Sequence, residues 1–435
     1  MKKLDYKWGL LALVSATYFL AQGTRQIYNA VLPQIKTDFA ASGLDDLQLG
    51  LVGSAFTLVF GLVVPFAGMF ADFFRRKWMI VIGTLLFSIG IFTSGFASGI
   101  GLLIVSYGVL NAAGQSLLPP SISSLIGQFH VETRGTAFSI YQMVFYSGII
   151  VCSCVSGWLS GLGAGGWRQA FWIFGAAGIL WTFALVFLLK DTPQPGAGGG
   201  RGATRPTEPG SGGGRGATRP TDKATVREAL GAFFGQPSAL ALTLGLGLYV
   251  YATYGFKTWS PMFLLRTFEG MTPARAAFHA VFWFYVGATV GVMLAGRVSD
   301  RLAKRRRGVR MEMNVAGLLL MIPFVLLAAF ATNEFVVFAA IFGFGFATGV
   351  YDSNLYAALL DVVSPRYRAA AVGIFGCGGN VLGAFGPGML GWMNGRFGMR
   401  WSMASLAAFA LAGVAVILFA RGFYLKGKKA RVQTA

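Results

Sequence analysis

Runs of 18 or more mostly apolar residues recur along nearly the whole chain. As a helix, each is long enough to cross the roughly 30 Å hydrocarbon core of a bilayer. Backbone polar groups find no water there, so only helices and closed barrels can span. The alternating segments of about ten residues that a barrel needs are absent. Composition agrees, with 55% of the 435 residues hydrophobic and 12% charged, where soluble domains carry about 25% charge. A soluble enzyme, a nucleic-acid-binding domain and a disulfide-stapled secreted scaffold are thereby excluded. The expected fold class is an all-α, polytopic membrane protein.

Twelve spans are expected, at about 9–33, 47–70, 78–97, 101–127, 135–160, 168–190, 238–264, 276–298, 311–331, 335–362, 369–393 and 400–421, with Pro, Gly and charged residues at the turns between them. The first begins after Met-Lys-Lys but is too long for the 7–15-residue apolar core of a cleaved signal peptide, so it reads as a retained helix. With the N-terminus in the cytoplasm, 28 of the 36 lysines and arginines fall on the cytoplasmic side. Six face out (Lys36, Arg168, Arg266, Arg275, Arg396, Arg400), and Arg25 and Lys257 lie within spans. This bias predicts both termini in the cytoplasm and a multi-pass protein of the bacterial inner (plasma) membrane. The net charge of +20 is then mostly topology, and no nucleic-acid partner is implied. Cys152, Cys154 and Cys377 show neither metal-ligand nor disulfide spacing and read as small buried residues.

Residues 191–236 are the only long hydrophilic stretch. They are rich in Gly, Pro and Thr, contain GGGRGATRPT twice (198–207 and 212–221), and cannot bury enough apolar surface to fold. A six-helix half (1–190), a flexible cytoplasmic linker (191–236) and a second six-helix half (237–435) with a short basic tail follow. The halves repeat one another. Gly68-x3-Asp72 with Arg75, Arg76 and Lys77 recurs as Gly296-x3-Asp300-Arg301 with Lys304, Arg305 and Arg306, at an offset of 228. Pro33 maps onto Pro261 by the same offset, and Arg134 onto Arg368 at 234. Such spacing signals duplication of a six-helix unit.

Two six-helix halves, a long central loop and the duplicated G-x3-D-basic motif resemble the major facilitator superfamily, over essentially the whole chain outside the linker. The resemblance implies two repeats around a central cavity, substrate bound near the midplane, and alternating access by rocking of the halves. Gly68, Asp72, Arg76, Arg134, Gly296, Asp300, Arg301 and Arg368 are then expected to form a cytoplasmic gate, latched by charge-assisted bonds in one state.

A charge at membrane depth is costly, so each one is a site candidate. Arg25, in GTRQIYNAVLP, shares a helix face with Tyr28 and Asn29 and offers a planar fork of donors suited to a carboxylate or phosphate. Arg-x7-Pro (Arg25, Pro33) resembles the first helix of the anion:cation symporters and organophosphate antiporters, where the arginine holds the substrate anion. A structural arginine paired with Asp352 is the alternative. Lys257 stands in YGFKTWSP, a frame that also resembles the organophosphate antiporters, but Thr253 occupies the place of their second substrate arginine. One fork and one point charge favour a carboxylate over a two-arginine phosphate site; snorkelling of Lys257 to the interface is the other reading. Asp352, in GVYDSNLYAALLD, is the buried candidate for proton coupling, because burial favours the neutral acid and a nearby cation the ionised one. The symporter family's usual coupling acids are replaced by Thr24 and by a neutral stretch around Asn111 and Gln115.

Tyr107, Asn111 and Gln115, at i, i+4 and i+8, are expected to form a polar stripe facing the cavity. Asn354 is expected to help shape the pocket, and Gln142 and Asn380 to serve as further hydrogen-bonding groups. His279 reads as a packing residue near an interface. The glycines of 343–349 and 373–388 suit close helix packing. Span five lacks the Gly-Pro ending usual in exporters of the superfamily. The expectation is therefore a secondary transporter, not an enzyme, using no cofactor or metal. It would take up a small organic anion (a carboxylate or sugar acid) with protons, as a monomer in the lipid bilayer. Export of amphipathic lipids or drugs, or sensing without transport, are the rival readings.

Overall fold

An apolar segment in lipid can satisfy its backbone only internally, and the expected spans accordingly become helices. The computed structural model describes residues 3–130, 133–163, 165–190, 226–306, 308–364 and 367–433. The first half comprises α1 (Lys3–Asp38), α2 (Asp46–Phe73), α3 (Arg76–Ser94), α4 (Ile100–Phe129), α5 (Arg134–Ser160) and α6 (Gly166–Leu188). The second comprises α7 (Pro237–Thr267), α8 (Pro273–Ala303), α9 (Val309–Phe330), α10 (Glu334–Val362), α11 (Ala370–Phe397) and α12 (Met399–Gln433). Among the described residues, eleven helices are long and apolar enough to cross a membrane. The twelfth, α1, has 36 residues and a lower hydropathy because it carries Gln22, Thr24, Arg25, Gln26 and Asn29.

The twelve helices put both chain ends on one side of the bundle, called here the terminal end; the other is the far end. The stretch expected to be linker is not wholly without structure. Val226–Phe234 is a helix whose Phe233 is buried while Phe234 is exposed. An amphipathic anchor thus orders the part next to α7, whereas 191–225, with both Arg-Gly repeats, lies outside the described residues.

Close approach of small residues sets the helix crossings. A Cβ on Gly345 would sit 2.0 Å from the Phe284 carbonyl oxygen and one on Gly349 2.1 Å from that of Ala288, which brings α10 backbone to backbone against α8. Gly23 of α1 packs in the same way on the buried Cys152 of α5. His279 stacks on Phe338 at 3.9 Å and accepts a hydrogen bond from Trp283, a packing role as expected.

Two helices depart from regular geometry near the centre. α4 is π-helical over Ile104–Asn111, and α10 breaks after Asp352, resuming at Leu355. Wider turns change the register of every side chain that follows.

Candidate functional site

A cavity of about 350 Å³ lies between the halves and is lined by α1, α2, α4 and α5 from the first and α7, α8, α10 and α11 from the second. Its size falls within the range of small-molecule sites. Arg25, Lys257 and Asp352, the three ionisable residues singled out in the spans, all line it. So do Asn29, Tyr107, Gln142, Thr253 and Asn380.

Arg25 donates from Nη2 to the Tyr254 hydroxyl at 2.6 Å. Its guanidinium carbon also stands 4.6, 4.9 and 4.9 Å from the rings of Phe56, Phe60 and Tyr254, an aromatic cage of cation–π contacts. The Tyr107 hydroxyl donates to the Arg25 backbone carbonyl at 2.5 Å, fixing α1 against α4 at this level. One residue on, Gln26 donates to the Tyr285 hydroxyl at 3.3 Å and accepts from Asn29 at 2.8 Å. Adjacent residues of α1 therefore hold two tyrosines of the opposite half.

Lys257 does not snorkel. Its Nζ lies 4.2 Å from the centre of the Tyr254 ring and 5.5 Å from that of Phe284. Asp352 accepts a hydrogen bond from the Tyr249 hydroxyl at 2.6 Å, and Tyr249 stacks on Tyr351 at 3.9 Å. Asp352 is exposed into the cavity. Among the described residues neither Arg25 nor Lys257 forms an ion pair with it, so the fixed salt bridge considered for Arg25 is not present in this conformation.

Four expected pocket residues lie elsewhere. Asn111 and Gln115 are buried, with Gln115 donating to the Ala21 carbonyl at 2.7 Å and to Asn111 at 2.9 Å. The π-helical stretch lets only Tyr107 of the stripe reach the cavity and leaves the other two against neighbouring helices. Tyr28 is buried and donates to the Leu49 carbonyl at 2.7 Å, tying α1 to α2. Asn354 sits in the break of α10, where it accepts from Ser299 and donates to Ser353 at 2.8 Å. It holds the bend that presents Asp352. Thr253 and Asn380 line the cavity but donate to backbone carbonyls, Thr253 to Tyr249 at 2.9 Å and Asn380 to Gly376 at 2.8 Å. Sequence reasoning missed Tyr249, Tyr254 and Tyr285. The available signal was their helical spacing from Lys257 or Gln26's depth, neither of which distinguishes cavity from packing.

Of the expected gate residues, Asp300, Arg301 and Arg368 are exposed at the terminal end, and Arg368 donates to the Leu360 carbonyl at 3.3 Å. Gly296 has open space where a Cβ would stand, as does Gly68. Arg76 begins α3, while the side chains of Asp72 and Arg134 lie outside those described.

Known proteins bear on this site. The family model of the Major Facilitator Superfamily matches residues 14–311 and 270–434. The probable sulfoacetate transporter SauU of Cupriavidus necator is 27% identical over 94% of this chain and 92% of its own. The probable galactarate/D-glucarate transporter GudP of Escherichia coli is 25% identical over 82% and 80%. In fold, a bacterial homologue of the human lysosomal transporter Spinster, solved in an inward-facing, unoccupied conformation, covers 97% of this chain and 98% of its own, at a TM-score of 0.80 and 23% identity. With two six-helix halves around a cavity and relatives that are transporters rather than enzymes, this chain belongs to the major facilitator superfamily.

Proposed function

We propose that the protein takes up a small organic anion, a carboxylate or sugar acid, by proton-coupled alternating access. The observation that carries the reading is the convergence of Arg25, Lys257 and Asp352 on one cavity with no ion pair among them. In this account the Arg25 fork binds the anionic group and Lys257 adds a point charge. Gln142, Asn380 and Thr253 shape the remainder of the pocket. Asp352 exchanges the coupling proton, oriented by Tyr249. Two of the relatives carry names that specify sulfoacetate or galactarate and D-glucarate, all small organic anions with acidic groups.

The terminal end is assigned to the cytoplasm of a bacterial inner membrane by the lysine and arginine bias, with the protein acting as a monomer. The duplicated gate motif then latches that end in the opposite, outward-open state. Arg25→Lys keeps the charge and removes the bidentate fork. KM for uptake of radiolabelled sulfoacetate and galactarate by proteoliposomes should rise by roughly 10-fold or more. Wild-type affinity in this variant would remove Arg25 from the anion site.

A further inference from the structure

We infer that Tyr254 occupies the place of the substrate anion on Arg25, so that an incoming anionic oxygen must displace its hydroxyl from Arg25 before it can bind. The inference rests on the anion reading above and adds a residue that determines specificity.

A guanidinium at membrane depth requires acceptors. Among the described residues Arg25 has no carboxylate partner; the side-chain oxygen it meets is the Tyr254 hydroxyl, at 2.6 Å. The same ring lies 4.2 Å beneath the ammonium of Lys257 and 4.9 Å from the Arg25 guanidinium. Tyr254 and Lys257 are three residues apart on α7 and so share a face. One phenol therefore holds both cavity cations, with its oxygen on one and its π-face on the other.

This arrangement sets a threshold for ligands. A neutral hydroxyl offers Arg25 no more than the phenol already gives. An anionic oxygen makes a shorter, charge-assisted bond, about twice as strong, and a carboxylate or sulfonate can take two donors of the fork at once. Anions thus displace Tyr254 and polyols do not. The displaced bond also joins α1 of one half to α7 of the other, so occupancy loosens a tie between the halves at the site itself.

Tyr254→Phe removes the competing oxygen and keeps the ring under Lys257. In binding measurements on the purified full-length protein, Kd for sulfoacetate and galactarate should tighten by roughly 10-fold. KM for exchange should fall with it, Tm without ligand should drop because Arg25 then lacks its side-chain acceptor, and added sulfoacetate or galactarate should restore more of Tm than in the wild type. A merely structural Tyr254, or one that donates to the bound substrate, gives unchanged or weaker binding and overturns the inference. Arg25→Lys is measured in parallel. Loss of binding there with no tightening in Tyr254→Phe sinks the Tyr254 role alone. Failure of the wild type to bind either anion, or wild-type binding by Arg25→Lys, sinks the anion reading and this inference together.

Discussion

The far end and the terminal end of the bundle meet their opposite halves by different means. At the far end, α2 and α11 touch backbone to backbone. A Cβ on Gly391 would lie 2.1 Å from the Asp46 carbonyl oxygen, and one on Gly50 2.2 Å from that of Pro387. Ser54 accepts a hydrogen bond from the Gly388 amide at 3.0 Å across the same seam. Asp46, only 5% exposed, pairs with Lys36 of its own half and with Arg266 of the other at 3.2 Å. At the terminal end the described ion pairs stay inside the second half: Arg310 with Asp361 at 2.8 Å, and Glu312 with Arg421 at 2.6 Å and with Arg306 at 3.6 Å. Tyr356, on the terminal side of Asp352, lines the cavity and is 48% exposed. The far end is clasped, whereas the ion pairs described at the terminal end do not join the halves. The lesson is that closure here relies on glycine contact first and on charge second.

The glycine contact should produce the largest effect. Gly391→Val places atoms inside the space of the Asp46 carbonyl, and no rotamer relieves a Cβ clash with backbone. The far end then cannot close, and exchange through proteoliposomes should drop by about 100-fold or more, since overpacking of a close seam costs about 1–3 kcal/mol or more. Near-normal exchange by this variant would show that the two backbones separate easily. Asp46→Asn should act less strongly. It leaves the glycine seam intact and removes the charge that joins Lys36 to Arg266, so the closed far end loses about tenfold in population. Labelling of a cysteine placed behind the seam reads this shift; an unchanged labelling rate would leave the ion pair without a gating role.

The smallest effect belongs to Asp38, which bonds Arg168 and, at 2.9 Å, Trp167 within one half. Partial burial pushes its carboxyl up, but the Trp167 and Arg168 hydrogen bonds and the Arg168 charge outweigh it and hold the carboxyl below its ordinary value of 3.8. Because the folded-state value is depressed, the stabilisation is present above that ordinary value and disappears as pH falls below it. Asp38→Asn should therefore lower thermal stability by less than about 1 kcal/mol at neutral pH. The gap should close in acid. A gap that widened in acid would reverse the assignment.

Much of this molecule was readable beforehand, for physical reasons. Span length follows from bilayer thickness, and duplicated loop motifs reveal the halves. Arg25, Lys257 and Asp352 stand out because charge is rarely tolerated at depth. The rest depended on geometry that spacing does not carry. A π-helical stretch in α4 took Asn111 and Gln115 off the face that ideal periodicity assigned to them. The break in α10 turned Asn354 from a pocket residue into a support. Tyrosines are ordinary in membrane helices, so the spacing of Tyr254 from Lys257 does not separate a cavity residue from a packing one, and the Arg25 contact on its hydroxyl does. The glycines of α11 announced close packing without naming α2 as the partner.

The central claim is that Asp352 couples proton movement to anion movement in this cavity. Asp352→Asn mimics the permanently protonated carrier, and one preparation of proteoliposomes can be used for both anion exchange and uptake driven by a pH gradient. The account predicts that sulfoacetate or galactarate still exchanges between preloaded vesicles and medium, while gradient-driven accumulation is lost. Loss of both activities would make Asp352 a structural partner of the Tyr249 hydroxyl rather than a coupling group. Retention of both would contradict the claim outright and leave the carrier working without this acid.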